Sequence, residues 1–178
     1  SGRYFVGKFD DFAFHAGKGE GWLDYGNACY AGQSFNNYPD DSKRLHIAWL
    51  GDGMLWAGDK AYGLMKDVGF NQSMSLICEL SLHKTNDGYR VFRKPIDALL
   101  DLRQDKHTIL LQGNLPLSFP CEIVFPLEKS MSVLIDGTGF SYDADTRTIS
   151  STSGKQYILH QEGVPEARLF ADRRSMEC

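Results

Sequence analysis

Residues 73–82 read SMSLICELSL, and they show the clearest alternation of apolar and polar side chains in the chain. Serines and Glu79 occupy the polar positions of this series. Because successive side chains of a strand point to opposite faces, period two predicts a half-buried β-strand here. The apolar positions that would share the buried face are Met74, Leu76, Cys78, Leu80 and Leu82.

Shorter stretches repeat this pattern on both sides. Residues 44–49 (RLHIAW) place Leu45, Ile47 and Trp49 on one face, which assigns Trp49 to the core. Turn residues separate the runs, as in Asn86-Asp87-Gly88, Asp136-Gly137 and Asp143-Ala144-Asp145. Further short strands are predicted at residues 4–9, 89–92, 121–125, 132–135, 156–159 and 167–171. The spacing predicts an all-β protein, a sandwich or a propeller, rather than βαβ units.

One segment departs from period two. In residues 94–103 (KPIDALLDLR) the apolar side chains fall near helical spacing, Pro95 suits the first helical position, and Asp97 suits the first turn. We predict a short helix there that divides the chain into two β regions. Residues 51–69 are rich in glycine and have no clean period, which predicts a long loop of the kind that is often functional.

Composition narrows the classes of function. The chain has 178 residues, 42% of them hydrophobic, and a formal net charge of −4, which fits a packed globular fold. Lysines and arginines are scattered rather than grouped on a stripe, so we expect no nucleic-acid partner. No apolar stretch approaches the roughly 20 residues that a membrane span needs, so we expect none.

The metal-ligating residue types are dispersed. The four cysteines form no CxxC pair, and neither they nor the five histidines have zinc spacing. Cys78 and Cys121 lie in apolar alternations and are predicted to be small buried hydrophobic residues. We therefore predict no metal site and no cofactor, and the sequence leaves open whether a disulfide forms.

Six segments, taken in order, match the sequence pattern of one known family: residues 4–10 (YFVGKFD), 23–35 (LDYGNACYAGQSF), 43–50 (KRLHIAWL), 70–82 (FNQSMSLICELSL), 90–99 (RVFRKPIDAL) and 167–178 (ARLFADRRSMEC). Together they resemble glycoside hydrolase family 32, which contains invertases, levanases and inulinases. The stretch between residues 104 and 166 matches only as a generic β-sandwich. This chain departs from the family pattern at Ala28, Cys29 and Ile77, and it stops at Cys178 where family members continue into another strand.

The resemblance implies a five-bladed β-propeller followed by a β-sandwich. Residues 1–93 would form the C-terminal part of the propeller, including its last blade. Residues 94–104 would form the linking helix, and residues 105–178 a sandwich that we expect to be incomplete.

The resemblance also implies a reaction, the cleavage of β-fructofuranosidic bonds in levan, inulin or sucrose with retention. Retaining glycosidases need two carboxyl groups about 5 Å apart. The family carries its acidic residues in WMNDPNG, RDP and WECP, none of which occurs here, and all three precede the segment that YFVGKFD resembles. We therefore expect this chain to start after the acid/base segment, to contain no catalytic residue and to be inactive alone.

Four residues are candidates for sugar contact. Asp24 and Tyr25 belong to the DYG segment, which the resemblance places near the central pocket. Tyr30 and Trp56 offer aromatic faces to a sugar ring, although Tyr30 also fits a packed strand. Trp56, in the glycine-rich stretch, is the strongest candidate for an exposed contact.

Three other carboxylates invite a catalytic interpretation that we do not favour. Cys78-Glu79 reverses the Glu-Cys order of the family, so Glu79 is predicted to be a polar-face residue of its strand. Asp172 and Glu177 have basic neighbours in the sequence and are predicted to be solvated charges at a turn.

An alternative function remains open at this stage, a non-catalytic β-sandwich module that binds carbohydrate or another chain through an aromatic surface platform. The expected partner is a fructan or sucrose-type carbohydrate. An unclosed propeller would also expose packing surface, which predicts self-association through that surface or rearrangement into a different sheet. The chain opens with Ser1-Gly2 and no methionine, which indicates a piece of a longer protein, and we expect the parent to be secreted or periplasmic.

Overall fold

A computed structural model describes residues 2–51, 69, 72–108, 116–152, 156–160, 165–172 and 175–178. In these residues the regular structure is β, apart from one short 3₁₀ helix. The all-β prediction with one short helix is thus confirmed. The predicted loop at residues 51–69 lies outside the described residues except at its two ends, and so does Trp56.

Two sheets make up the first β region. An antiparallel hairpin of two strands is followed by a larger sheet with the order β3-β4-β6-β7, in which β5 also pairs with β4. The strands are β1 (Arg3–Phe9), β2 (Phe14–Trp22), β3 (Cys29–Ser34), β4 (Arg44–Leu50), β5 (Ser73–Met74), β6 (Cys78–Thr85) and β7 (Gly88–Pro95). The hairpin lies against β7, where Arg90 donates a hydrogen bond to the carbonyl of Glu20 at 2.7 Å.

The stretch predicted as one strand at residues 73–82 is instead two strands separated by a bulge. Trp49 of β4 pairs with Met74, and His46 of β4 pairs with Cys78. The three residues 75–77 therefore lie opposite only two residues of β4, 47 and 48. The Ser75 hydroxyl accepts a hydrogen bond from the Ala48 amide at 3.0 Å, so this amide of β4 has an acceptor at the bulge. The amide of the next residue, Leu76, is thereby turned away from β4.

The buried side of β4 also differs from the prediction. His46 and Ala48 are buried together with Leu45, whereas Trp49 is 43% exposed. Alternation assigns Leu45, Ile47 and Trp49 to one buried face, and Leu45 is buried, but that face is uncovered at Trp49, whereas His46 and Ala48 on the other face are both buried. The assignment of Trp49 to the core was therefore wrong.

The linking helix is present and is shorter than predicted. It is a 3₁₀ helix at Asp97–Leu102, and Lys94 and Pro95 belong to β7 instead. Both residues continue the ladder, since Pro95 pairs with Cys78 and Lys94 with Glu79. The domain limits at residues 93 and 104 stay a prediction.

Two further sheets follow the helix. One is antiparallel with the order β12-β11-β10-β9, and the other has the order β14-β13-β8. Their strands are β8 (Cys121–Pro126), β9 (Met131–Ile135), β10 (Thr138–Asp143), β11 (Thr148–Ser151), β12 (Gln156–Ile158), β13 (Glu166–Ala171) and β14 (Met176–Glu177). Each predicted run in this region coincides with a strand, apart from Leu159, which lies just beyond β12, while β10, β11 and β14 were not predicted.

The core lies between these two sheets. Leu169 of β13 is fully buried, and the rings of Phe125 and Phe140 stack with centroids 5.7 Å apart. Buried residues from both sheets form this single cluster: Phe125, Leu127, Phe140, Tyr142, Ala167 and Leu169. Two sheets that share an apolar interior form a β-sandwich, which agrees with the prediction.

The predicted turns follow from their residues. Asp136 and Gly137 both adopt positive φ, 49° and 79°, as a two-residue turn between β9 and β10 requires. Gly88, at φ 124°, is the first residue of β7, and a Cβ atom there would lie 2.5 Å from the Lys18 carbonyl oxygen. This glycine therefore permits the close approach of the hairpin to β7.

Within the described residues, no helix is long and apolar enough to cross a membrane.

Candidate functional site

Among the described residues, a guanidinium lies between two carboxylates in a partly buried ion cluster. Arg93 of β7 places Nη1 3.0 Å from Oδ2 of Asp24 and Nη2 3.5 Å from Oε2 of Glu177. The three side chains are only 15–21% exposed. Asp24 precedes β3, and Glu177 lies in the last strand, so the ion cluster joins the first β region to the sandwich.

The remaining oxygens of both carboxylates also have donors. Oδ1 of Asp24 accepts a hydrogen bond from the Gly26 amide at 2.8 Å, which closes a tight turn. Oε1 of Glu177 accepts one from the Leu76 amide, also at 2.8 Å. The Leu76 amide is available because the bulge between β5 and β6 removes it from the ladder, and Glu177 satisfies it.

Burial sets the electrostatics of Glu177. Removal from water raises the pKa of its carboxyl, while the Leu76 amide and Arg93 act in the opposite direction. A raised pKa is a property of general acids, but it also follows from burial at a purely structural position. The geometry must therefore decide between the two roles.

Three further titratable side chains lie near Arg93. Burial raises the pKa of the thiols of Cys29 and Cys78, and neither thiol forms a disulfide. His46 is only 4% exposed, and its pKa is lowered first by burial and then by the nearby Arg93 charge. In the part of the chain that the structure describes, no group of three or more potential ligands is arranged to hold a metal ion.

The predicted sugar contacts fall in different places. Asp24 belongs to the ion cluster. Tyr25 is half-buried and packs its ring against Tyr157 of β12 with centroids 4.7 Å apart. Burial is also the main cause that raises the pKa of Tyr157 to about 12. Trp56 lies outside the described residues.

Tyr30 lies on the opposite face of the sheet from the ion cluster. Its neighbour Cys29 is buried on the cluster side, whereas Tyr30 is 63% exposed. Tyr30 pairs with Trp49, and Trp49 pairs with Met74, which is 55% exposed. These three side chains form an exposed apolar row, which we call the outer row.

The most buried charged residues of the site were not predicted. Arg93 was noted only within a matching segment, and Glu177 was predicted to be a solvated charge, which is wrong because its side chain is 20% exposed and paired. One sequence signal existed for Arg93. It shares a strand face with Val91 and Pro95, and a charge on such a face needs a buried partner.

The other two carboxylates fit their predicted roles. Asp172 is exposed and accepts a hydrogen bond from the Ser175 amide at 2.6 Å, as at a turn. Glu79 lies on the face opposite the ion cluster, where its carboxylate is 3.9 Å from the Lys43 ammonium.

The described part of the sandwich lacks an exposed aromatic ring. Its large exposed apolar side chains are all aliphatic, namely Val124, Leu134 and Ile158. The alternative function as a carbohydrate-binding sandwich expected an aromatic platform, and the described surface offers none.

Comparison with known proteins adds to this geometry. A levanbiose-producing levanase of Bacillus subtilis is 35% identical over 103 residues, which are 56% of this chain and 19% of that protein. A sucrose-6-phosphate hydrolase of Streptococcus mutans is 26% identical over 146 residues, 77% of this chain and 28% of that protein. An extracellular exo-inulinase of Meyerozyma guilliermondii is 25% identical over 201 aligned positions, 98% of this chain and 37% of that protein.

The chain therefore spans well under half the length of each of these relatives. Among solved structures, the exo-inulinase from Aspergillus awamori superposes with a TM-score of 0.69 over 98% of this chain and 41% of that chain. At 16% identity, this likeness shows a shared fold.

A family model covers the first β region. The description of that model is glycosyl hydrolases family 32 N-terminal domain, and it matches residues 1–95, more than half of the chain. With the levanase and inulinase relatives and the shared fold, this match shows that the chain belongs to glycoside hydrolase family 32.

Proposed function

We propose that this chain is part of a glycoside hydrolase that cleaves β-fructofuranosidic bonds in levan, inulin or sucrose with retention. In this proposal the chain supplies no catalytic carboxylate and is inactive on its own. Support comes from relatives named as a levanase, a sucrose-6-phosphate hydrolase and an exo-inulinase. The parent is proposed to be secreted or periplasmic, in line with the relative named as an extracellular exo-inulinase.

The observation that carries the proposal is the environment of Asp24 and Glu177. They are the two carboxylates that share a buried site, and a retaining mechanism would require one as nucleophile and one as acid/base. Arg93 stands between them, and each of the four oxygens already has a donor or a cationic partner. A nucleophilic oxygen that is paired with a guanidinium loses reactivity, and the Glu177 oxygens are already held by the Leu76 amide and Arg93, which opposes proton transfer to a leaving group.

Sugar contact is the role that we propose for Asp24, Tyr25, Tyr30 and Trp56, with Asp24 and Tyr30 acting from opposite faces of the sheet and not within one subsite. An ionised carboxylate offers about four acceptor sites, so Asp24 can still accept a hydrogen bond from a sugar hydroxyl. The exposed ring of Tyr30 can stack on a sugar face. These assignments rest on the family resemblance of the DYG segment and on exposure.

Hydrolysis by the purified chain tests the first part of the proposal. Fructose release would be followed from sucrose, levan and inulin, with heat-inactivated protein as the blank. We expect no release above the blank, because neither carboxylate of the buried pair is free to react. Release well above the blank that disappears in Asp24→Asn or Glu177→Gln would overturn the proposal.

Sugar binding tests the second part. Levanbiose would be titrated against the intrinsic tryptophan fluorescence of the chain. Stacking of one aromatic ring contributes roughly 0.5–1.5 kcal/mol beyond its buried area, so Tyr30→Ala should weaken binding by up to about tenfold. The matched control is Tyr38→Ala, which removes another exposed tyrosine and should leave the affinity unchanged. An equal effect of both variants would remove Tyr30 from the proposed site.

A further inference from the structure

We propose that Arg93 and Glu177 are positioning residues that hold the Asp24 turn in its sugar-binding conformation. By the Asp24 turn we mean residues 23–28, which lead into β3. The inference rests on the proposed function, because Asp24 and Tyr25 in this turn are proposed sugar contacts. Neither positioning residue needs to contact the sugar itself.

A continuous series of contacts runs from the last strand to this turn. The Leu76 amide fixes one oxygen of Glu177 at 2.8 Å, and the other oxygen lies 3.5 Å from Nη2 of Arg93. Nη1 of Arg93 then donates to Asp24 at 3.0 Å. Asp24 in turn accepts the Gly26 amide at 2.8 Å. Three of these contacts are directional hydrogen bonds, and the Glu177–Arg93 contact is an ion pair that holds the guanidinium by charge.

The shape of the arginine side chain explains this arrangement. A guanidinium is planar and presents its donors in a fixed fork, so one side chain can serve two carboxylates with defined directions. Lysine would supply the charge but not the geometry. Arg93 donates to one oxygen of Asp24 and uses only part of the acceptor sites of this carboxylate, so other acceptor sites can still bind a sugar hydroxyl.

Loss of Arg93 has a definite structural consequence. Asp24 and Glu177 would then be like charges in a partly buried site, and repulsion would favour rotation of Asp24 toward water. The Gly26 amide would lose its acceptor, and the turn would exchange with less ordered conformations. The packing of Tyr25 against Tyr157 would weaken as a result.

Amide hydrogen exchange measures the positioning directly. The purified chain and its Arg93→Met and Glu177→Gln variants would be compared at residues 24–28. We expect about tenfold faster exchange in both, since a hydrogen bond to a charged group is lost or misaligned. The matched control is Arg103→Met, which breaks the bidentate pair with Glu122 and should leave this segment unchanged.

A double-mutant cycle then links positioning to binding. Levanbiose affinity would be measured for Arg93→Met, Asp24→Asn and the double variant. If Arg93 acts through Asp24, each single variant should lose about tenfold and the double variant no more than either. Losses that multiply to about a hundredfold would show an independent effect of Arg93 and would overturn the inference.

The outcomes separate the two proposals. A wild-type chain that binds no levanbiose at millimolar concentration contradicts the proposed function, while the exchange comparison still decides whether Arg93 and Glu177 order the turn. If amide exchange at residues 24–28 is unchanged in Glu177→Gln, Glu177 has no positioning role. This test remains valid even if the Arg93→Met variant fails to fold. Glu177→Gln keeps the Asp24–Arg93 pair and nearly the same shape, so it is the milder of the two tests.

Discussion

Arg93 is the residue on which the polar interior of this protein depends. Removing water from a charge is costly, and a buried charge is tolerated when its partners restore the lost interactions. The two carboxylates provide the opposite charge, and the Gly26 and Leu76 amides donate hydrogen bonds to them, while Nε and Nη2 of Arg93 are buried without a hydrogen-bond partner among the described residues. The cluster is therefore best understood as a mutually dependent set, in which the loss of one member leaves uncompensated charge.

His46 provides a pH test at the same scale. Its pKa is lowered by burial and by Arg93, with Asp24 acting against them, so the unfolded state takes up a proton first as the pH falls. The contribution of neutral His46 to stability should be complete above about pH 6.5 and decline below it, by up to about 1.4 kcal/mol per pH unit. Urea unfolding between pH 5 and 8 measures the decline.

The comparison must isolate His46 from its neighbours. Glu177 has a raised pKa, so its protonation favours the folded state as the pH falls and opposes the effect of His46. Subtracting the profile of His46→Gln from that of wild type removes this shared background. His107→Gln, at an exposed histidine, is the control and should keep the wild-type slope. Identical slopes for wild type and His46→Gln would refute the prediction.

At the scale of elements, an irregular strand connects two sheets. The break between β5 and β6 uses one extra residue, and it turns the Leu76 amide out of the ladder toward Glu177. A perfectly regular strand would have used that amide within its own sheet. Bulges commonly redirect a backbone or side-chain group in this way, so the irregularity serves the contact between the sheets.

The sandwich core gives the prediction at this scale. Leu169 of β13 is fully buried in the cluster with Phe125 and Phe140. Leu169→Ala should lower the free energy of unfolding by about 3 kcal/mol, because it removes transfer free energy and leaves a cavity. Leu134→Ala, at a leucine that is 60% exposed, is the matched control and should cost less than about 0.5 kcal/mol. Denaturant unfolding of both variants would decide, and equal losses would contradict a shared core at Leu169.

At the scale of the whole molecule, the outer row is one of the apolar surfaces that remain uncovered in the described residues. Tyr30, Trp49 and Met74 lie together on the face away from the ion cluster, and each is at least 43% exposed. Adjacent exposed apolar side chains favour association, because contact removes them from water. This row supports the proposal that the chain self-associates through its first β region.

Solution mass tests that proposal. Sedimentation equilibrium should show a weight-average mass that rises with protein concentration, and Tyr30→Ser should shift the rise to at least severalfold higher concentration. Leu134→Ser removes an exposed apolar residue from the sandwich and should have no such effect. A monomer of constant mass at all concentrations, in wild type and both variants, would end the proposal.

Local pattern accounts for much of this fold. Period two predicted β4 and several sandwich strands, and the turn residues Asp136 and Gly137 predicted the connection of β9 to β10. By contrast, β2 contains three glycines in a sequence without alternation, and it was not predicted. Such a strand exists because pairing with β1 and contact with β7 stabilise it, which no local rule encodes.

The sequence by itself determined the all-β class, the break near residue 97, the family and the segment that contains Asp24 and Tyr25. Each of these properties can be recognised from residues that are neighbours in the chain or from the order of short segments. The tertiary structure alone decided that Glu177 is a buried partner of Arg93 and that Trp49 is exposed. The reason is physical. Burial and pairing depend on which sheet covers which face, and the residues that meet there are far apart in the chain.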